Sequence, residues 1–329
     1  MTQRAATVFM ILLGLLCACV LLSLVSGPVR IPAKDVLLEV WNKALGNPET
    51  AYASVLFSIR LPRIAGACTA GWALSLAGLC YQSLLKNPLA SEYTLGVASG
   101  AAVGAVCGQI ISWNFPYAMP LFSFLGSTVS LGLILAVARS RFSLDANSLV
   151  LTGIIFTAFA NAVLSLILSV ISPNQLHTFF FWMMGSFAIV EWNSLISIVP
   201  LIVFFSAVIF FFGWEMNAIS IGEDFGRQIG IPVARVRLVL FFAAGLLTAL
   251  TVSITGTIGF IGLVVPHLGR LIAGPDNRNL FAIVPLLGAL FCVLSDLLAR
   301  SLLAPAELPV GVITAFVGVP VFLYFMVRR

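Results

Sequence analysis

Long apolar runs separated by short polar punctuation set the rhythm of the chain from Ala5 onward. Ten of them read as membrane helices, at about 6–26, 64–85, 93–111, 120–138, 149–171, 194–212, 238–258, 260–273, 280–303 and 310–327. A bilayer core takes about 20 apolar residues per helix. The eighth run is shorter than that and contains Pro266, so it crosses only if tilted or sheltered by neighbouring protein. The alternation over ten-residue segments that marks a membrane barrel is absent from the sequence. The first run, Ala5–Val29, is long and has no small-residue cleavage site before a soluble domain, so it reads as a first membrane helix. Gly96, Gly100 and Gly104, four apart, suit close helix packing in lipid.

Composition sharpens this. Of 329 residues, 60% are hydrophobic and 9% charged, whereas a soluble domain is about a quarter charged. The chain is therefore an all-α polytopic membrane protein, read as one transmembrane domain over 1–329. Its net charge of +5 is spread along the sequence, which gives no basic patch for nucleic acid. With the N-terminus inside, Lys and Arg divide eleven to six in favour of the inner side, Arg328 and Arg329 among them. The positive-inside bias then places both termini in the cytoplasm, with an even number of spans.

One stretch departs from the pattern. "GEDFGRQIGIPVARVR" (222–237) holds Glu223, Asp224, Arg227, Arg235 and Arg237, between two long segments that lack any Lys, Arg, Asp or Glu. Gly222, Gly226 and Gly230 punctuate it and Pro232 divides it, so it reads as two short helices joined by a turn. It lies on the cytoplasmic side. Its alternating charged and apolar residues suit either the membrane surface or a soluble partner.

Catalytic chemistry is sparse. Without GxxxxGK[ST] the chain has no phosphate-binding loop for ATP. Cys17, Cys19, Cys68, Cys80, Cys107 and Cys292 sit mostly in apolar runs without a CxxC, as packing residues rather than a disulfide frame or metal site. His267 and His177 each stand apart from other ligand-type residues, and zinc takes three or four protein ligands; His267 is expected to hydrogen-bond near a helix end. In "GVASG" (96–100) the serine is one place late for a GxSG nucleophile. Asp296 is the one acid read as lying well inside a span, and Arg300, four residues on, suits a helical ion pair. An ion-coupled carrier, the alternative class, keeps ionisable groups at membrane depth.

The charged stretch resembles the cytoplasmic coupling segment of FecCD-type permeases, the membrane subunits of bacterial ABC importers for iron–siderophore, haem and cobalamin. The resemblance extends to "RLPRIAGACTAGWALSLAGLCYQSLLKNPLASEYTLGVASGAAVGA" (60–105), "FWMMGSF" (181–187), "GTIGFIGLVVPHLGRLIAGPDNR" (256–278) and "DLLARSLLAPAELPVGVITAFVGVPVFLYFM" (296–326). It implies ten transmembrane helices with an inverted repeat, spans two to five against seven to ten. It further implies a second copy of the permease, two cytoplasmic ATPase subunits that hold the ATP and magnesium, and a periplasmic or lipid-anchored substrate-binding protein. The chain itself would carry no cofactor or metal and would sit in the bacterial inner membrane.

The resemblance also implies roles for residues. The segment 213–237 would contact the ATPase through Gly222, Glu223, Asp224, Arg227, Gln228, Gly230 and Pro232. Arg60, Arg63 and Arg300 would dock the binding protein. Pro62 in "RLPR" is expected to turn Leu61 out of helical geometry and hold both arginines at a helix start, where cations oppose the dipole. The inner gate would lie at Asn87–Leu89 and Asp145–Asn147, including Ala146 and Asn147. Thr152, Thr157, Asn161 and Ser165 of the fifth span would line a bland pore or hydrogen-bond across helices. Iron–siderophore leads as substrate, with cobalamin, haem and an oxyanion such as molybdate open.

Overall fold

A computed structural model of the chain describes residues 3–46, 52–111, 115, 117–141 and 145–327. Arg328 and Arg329, counted above for orientation, lie outside the described residues. The fold is helical throughout, with no strand among the described residues. In order the helices are α1 (Gln3–Val25), α2 (Ala33–Leu45), α3 (Leu61–Leu85, preceded by a π-helical turn Val55–Arg60), α4 (Val97–Ile111), α5 (Ala118–Arg141), α6 (Ala146–Leu168) and α7 (Pro173–Met183). They continue with α8 (Trp192–Phe211), α9 (Gly213–Ile221), α10 (Glu223–Gln228), α11 (Val233–Thr255), α12 (Ile261–Ala273), α13 (Asn277–Ser301) and α14 (Val310–Val327).

Each apolar run of the sequence coincides with one of these helices. Seven are long and apolar enough to cross a membrane: α1, α3 with its π turn, α5, α6, α8, α11 and α13. The apolar helices α4, α12 and α14 are shorter, the last over its described part Val310–Tyr324. At about 1.5 Å per residue, a helix of 15 residues such as α4 covers roughly three quarters of a hydrocarbon core of about 30 Å. Non-helical segments at 86–96 and 256–260 precede α4 and α12. Irregular backbone at membrane depth needs protein around it, and Ala90, Ser91, Glu92 and Leu95 are all buried.

Helices α3 and α11 form the centre and run antiparallel: the Cys80 Sγ donates to the Leu240 carbonyl at 3.5 Å, and Tyr81 meets Phe241 edge-on at 5.2 Å. The packing around them repeats. Helix α3 packs on α13 and α12, as α11 packs on α5 and α4; α4 meets α6 as α12 meets α14. This is an inverted repeat of α3–α6 against α11–α14.

Close backbone approach makes the crossings possible. A Cβ on Gly71 would lie 2.2 Å from the Gly288 carbonyl oxygen, and one on Gly78 would lie 2.0 Å from that of Gly262. Helix α4 seats on α5 in the same way, Gly100 against Gly126 and Gly104 against Phe122. Gly96 packs closely as well, a Cβ there lying 3.0 Å from the Phe156 ring and 3.3 Å from the Gly153 carbonyl oxygen, and it also takes φ +78° in the turn that opens α4.

Three local expectations change. Leu61 is helical (φ −63°, ψ −48°), and its amide bonds back five residues to Leu56. The wider π turn absorbs the disruption that Pro62 would otherwise cause, so Arg60 and Arg63 lie within a continuous helix rather than at its start. The charged stretch forms one short helix, α10, and the residues after Pro232 are the first turns of α11. Its short companion is α9, on the other side of Gly222.

The glycine contacts give a first prediction. Gly71→Leu should lower the midpoint of thermal unfolding in detergent and abolish folding if combined with Gly288→Leu. Gly14→Leu, which meets nothing within 4 Å, should leave the midpoint near the parent value, as light-scattering-monitored melting would show.

Candidate functional site: an inner coupling segment and an outer charge cluster

Helices α9 and α10 sit at the end of the fold where α3 finishes and α13 begins, the end expected to face the cytoplasm, and are fastened at both sides. On one side the link is an amide network at the start of α13. Asp276 caps α13, accepting from the Arg278 amide at 3.0 Å and from the Asn217 Nδ2 of α9 at 2.7 Å. The Asn217 Oδ1 accepts from the Asn277 backbone and side-chain nitrogens, both at 2.9 Å. The Ser83 hydroxyl at the end of α3 donates to the Asn277 Oδ1 at 3.0 Å. One short helix is thereby tied to α3 and α13 together.

On the other side the link is ionic. Glu223 opens α10 and reaches the buried Arg237 of α11, Oε1 to Nη2 at 2.5 Å. Arg237 is 2% exposed, so this carboxylate compensates a charge held out of water. Arg227 pairs with Glu223 and Asp224 on the solvent side at 3.3 and 3.2 Å, where such pairs are worth little. Gln228, Gly230 and Pro232 form the turn into α11, with Gly230 at φ +86°, a backbone that favours glycine. The expected coupling residues therefore share one surface element, but Glu223 faces inward while Asp224 and Arg227 face out.

The residues expected to form the gate flank this element. The Leu89 amide bonds to the Asn87 Oδ1 at 2.9 Å, and Leu89 is exposed. Ala146 and Asn147 begin α6, capped by Asp145, which accepts from the Ser148 amide at 3.0 Å. Hydrogen bonding from Ser148, assisted by the Arg237 charge, holds the Asp145 carboxyl below the usual aspartate range.

The three outer arginines are placed differently from the exposed docking sites expected. Arg60, Arg63 and Arg300 are 3%, 5% and 2% exposed. Arg63 Nε donates to both oxygens of Asp296 at 2.8 and 3.1 Å, and its Nη1 donates to Glu307 at 2.8 Å. The expected Asp296–Arg300 pair is present but longer, at 3.5 Å. Arg300 also donates to the Ser23 carbonyl and hydroxyl, and Arg60 donates to the Leu24 and Val29 carbonyls. Burial in an apolar protein makes each guanidinium seek such partners. Together they gather α1, α3, α13 and the loop before α14.

Beside Glu307 lies a cavity of about 590 Å³, lined by His177, Phe181, Trp182, Ile189 and Pro309 among others. The "FWMMGSF" turn shapes its wall. Gly185 takes φ +73°, and a Cβ there would lie 2.6 Å from the Thr257 carbonyl oxygen. The turn bonds to α11 through Ser186 N–Thr255 O (2.8 Å) and to α14 through Gly311 N–Met184 O (3.1 Å).

Other candidates resolve simply. Thr157 and Ser165 donate to carbonyls four residues back in their own helix, rather than to another helix. His267 lies midway along α12, buried, edge-on to Phe322 at 5.9 Å. Among the described residues no three His, Cys, Asp or Glu side chains form a metal-binding group. Two features escaped the sequence reading. Asn217 gave no signal, since its partners lie about 60 residues away. Glu92 sits beside Gly262, 1% exposed, with neither oxygen hydrogen-bonded; as an acid bordering an apolar run it was visible.

The outer cluster predicts that Arg63→Gln destabilises the chain by about 3–5 kcal/mol, because it strips a buried carboxylate of its closest partner. A lowered melting midpoint in detergent, without any binding protein present, is the expected reading; an unchanged midpoint would mean that Arg63 faces outward. At the inner end, Asp145→Ala should cost about 1 kcal/mol at neutral pH. The lowered carboxyl stabilises the fold above the ordinary aspartate pKa, so the gap between variant and parent should close as pH falls through the lowered folded value.

The sequence profile described as the FecCD transport family matches residues 15–328. The uncharacterized ABC transporter permease protein YvrB of Bacillus subtilis is 36% identical over 323 residues, covering 95% of this chain and 91% of that one. The cobalamin import system permease protein BtuC of Halobacterium salinarum is 35% identical over 305 residues, covering 93% and 81%. A solved structure of a metal-chelate type ABC transporter in an inward-facing conformation superposes with a TM-score of 0.86 at 28% identity, over 99% of this chain and 100% of that one. On the sequence profile and these relatives, the chain belongs to the FecCD transport family, as a multi-pass permease subunit of an ABC importer.

Proposed function

We propose that the chain forms half of a translocation pore for a metal chelate, driven by ATP hydrolysis in a separate cytoplasmic subunit. The observation that carries this is the fastening of α9 and α10. A surface helix pair tied to α3 and α13 by Asn217, and to α11 by Glu223–Arg237, passes any push from a cytoplasmic partner into the centre of the bundle. Two ATPase subunits, holding ATP and magnesium, would supply that push, and Gly222 to Pro232 would receive it. Ten helices would cross the bacterial inner membrane, with both termini in the cytoplasm.

A second copy would complete the pore. Helix α6 turns Leu151, Ile155, Phe159 and Leu166 outward, with Asn161 and Ser165 exposed among them, and α14 turns Phe316 outward. Those faces suit a paired subunit across a pathway. The outer cavity is mostly apolar and aromatic, and the nearby Arg63 is already engaged. Such a wall lets a bulky chelate slide without trapping it. Iron(III)–siderophore and cobalamin fit that description, delivered by a periplasmic or lipid-anchored binding protein that docks near Arg60, Arg63, Arg300 and the Glu307 loop.

Glu92 is the one observation that favours an ion-coupled carrier, being a buried acid with unbonded oxygens. The two readings separate in proteoliposomes containing the co-expressed ATPase and binding protein. Uptake of labelled cobalamin or ferric siderophore should require internal ATP and ignore a protonophore. Uptake that survives without ATP and collapses with the protonophore would establish the carrier.

The coupling prediction is specific. Glu223→Gln should weaken the hold of α10 on the buried Arg237, and Asn217→Ala should cut the link to α13. Each should lower chelate-stimulated ATP hydrolysis severalfold, with transport falling further than ATPase binding. Unaltered transport in the double variant would place the drive elsewhere.

A further inference from the structure

We infer that α2 lies in the membrane leaflet at which α1 ends, the outer one in the proposed orientation, with its exposed side against phospholipid. Its amphipathicity is turned the wrong way for water. The side facing the protein carries Val36 (6% exposed) together with polar groups: Glu39 is 1% exposed and Asp35 and Asn42 are half-buried, while Lys43, itself exposed, holds its ammonium 4.8 Å over the Phe57 ring. The outward side carries Leu37 (71% exposed), Trp41 (63%) and Leu45 (58%), with Val40 and Leu38 beside them. Residues 37, 41 and 45 recur every four positions and so form one stripe. A helix in water buries such a stripe and exposes its charges; only an apolar medium favours the reverse.

The chain fixes where that medium must be. The Ile31 amide bonds to the Val25 carbonyl, the last residue of α1, at 3.1 Å, so α2 starts beside the end of a membrane-length helix. Nine residues separate Leu45 from the π turn of the next long helix. The start of α2 is thus held at the end of α1, and its last turn is tied to that next helix by Lys43 over Phe57. Its apolar stripe continues the outward surface of α1, where Leu15, Leu21 and Leu22 are exposed. Lys34 projects from the first turn of α2, also exposed, and its long stem allows the ammonium to reach lipid phosphate. A Trp with a neighbouring Lys is the pairing that bilayer interfaces favour.

The test uses the full chain reconstituted in vesicles of phosphatidylcholine and phosphatidylglycerol. Trp41 is one of 6 tryptophans, so its emission is taken as the difference between the parent and Trp41→Phe, a conservative change at an exposed site. Acyl chains brominated close to the headgroup should remove roughly half of the difference emission, as expected for an interfacial helix, while aqueous acrylamide should remove little. Strong acrylamide quenching with no effect of brominated lipid would overturn the assignment. Acrylamide quenching suppressed only when the co-expressed binding protein is added would overturn it too, and would make the stripe a protein contact. Replacing Leu37 and Leu45 together by Lys should abolish the lipid quenching of Trp41; persistence would count against contact through that stripe. None of these readings depends on transport, so their failure would be separate from failure of the importer assignment.

Discussion

Backbone contact between α3 and its neighbours is the constraint on which the rest of the molecule depends. In lipid no hydrophobic force drives helices together, because the tails are as apolar as leucine side chains. Association then needs close packing, and Gly71–Gly288 and Gly78–Gly262 supply it with carbonyls standing where a Cβ would be. The α3–α13 contact decides which ends meet. It sets Arg63 beside Asp296 at the outer end and Ser83 beside Asn277 at the inner end.

Polar groups obey the same medium. A charge withdrawn from water is costly unless paired, and removing one partner of a buried pair costs several kcal/mol. The outer cluster follows this rule: three arginines take two carboxylates and three backbone carbonyls from four chain segments. The inner clamp follows it with one pair, Glu223–Arg237. Such pairs add less to net stability than to uniqueness of arrangement, since an apolar substitute would pack as well but would not specify a partner.

The helices were legible because apolar length survives in the sequence without any tertiary information: every predicted run contains a helix. What failed was local reasoning about residues whose setting is tertiary. Pro62 reads as a break by its own chemistry, yet a π-helical turn of 6 residues, closed by the Leu61 amide on the Leu56 carbonyl, accommodates it. Arg60, Arg63 and Arg300 entered the sequence reading as docking residues on the family resemblance, and their burial was not legible there. The Asp296–Arg300 pair was legible from its four-residue spacing, whereas Asp296 and Glu307 lie more than 230 residues from Arg63, and no spacing rule reaches that far. The coupling segment sat between the two cases. Its charge marked it as cytoplasmic and distinct, but the inward turn of Glu223 toward Arg237 required the start of α11 to be placed.

The two fastened regions occupy opposite ends of the same pair of helices. Helix α3 carries Arg63 near its start and Ser83 near its end; α13 carries Asn277 at its start and Asp296 and Arg300 near its end. Between them the pair is joined by backbone contact at Gly71 and Gly288, which leaves no side-chain layer to slide. Packed interiors are bistable rather than continuously deformable. Under the proposed function, a displacement applied to α9 through Asn217 would therefore be carried along α3 and α13 rather than absorbed within them. At the far end it meets Arg63, whose guanidinium also holds Glu307 at the rim of the outer cavity. The Arg63–Glu307 contact is buried on the Arg63 side and open to solvent on the Glu307 side. It is the place where movement of the pair would first alter the outer cavity.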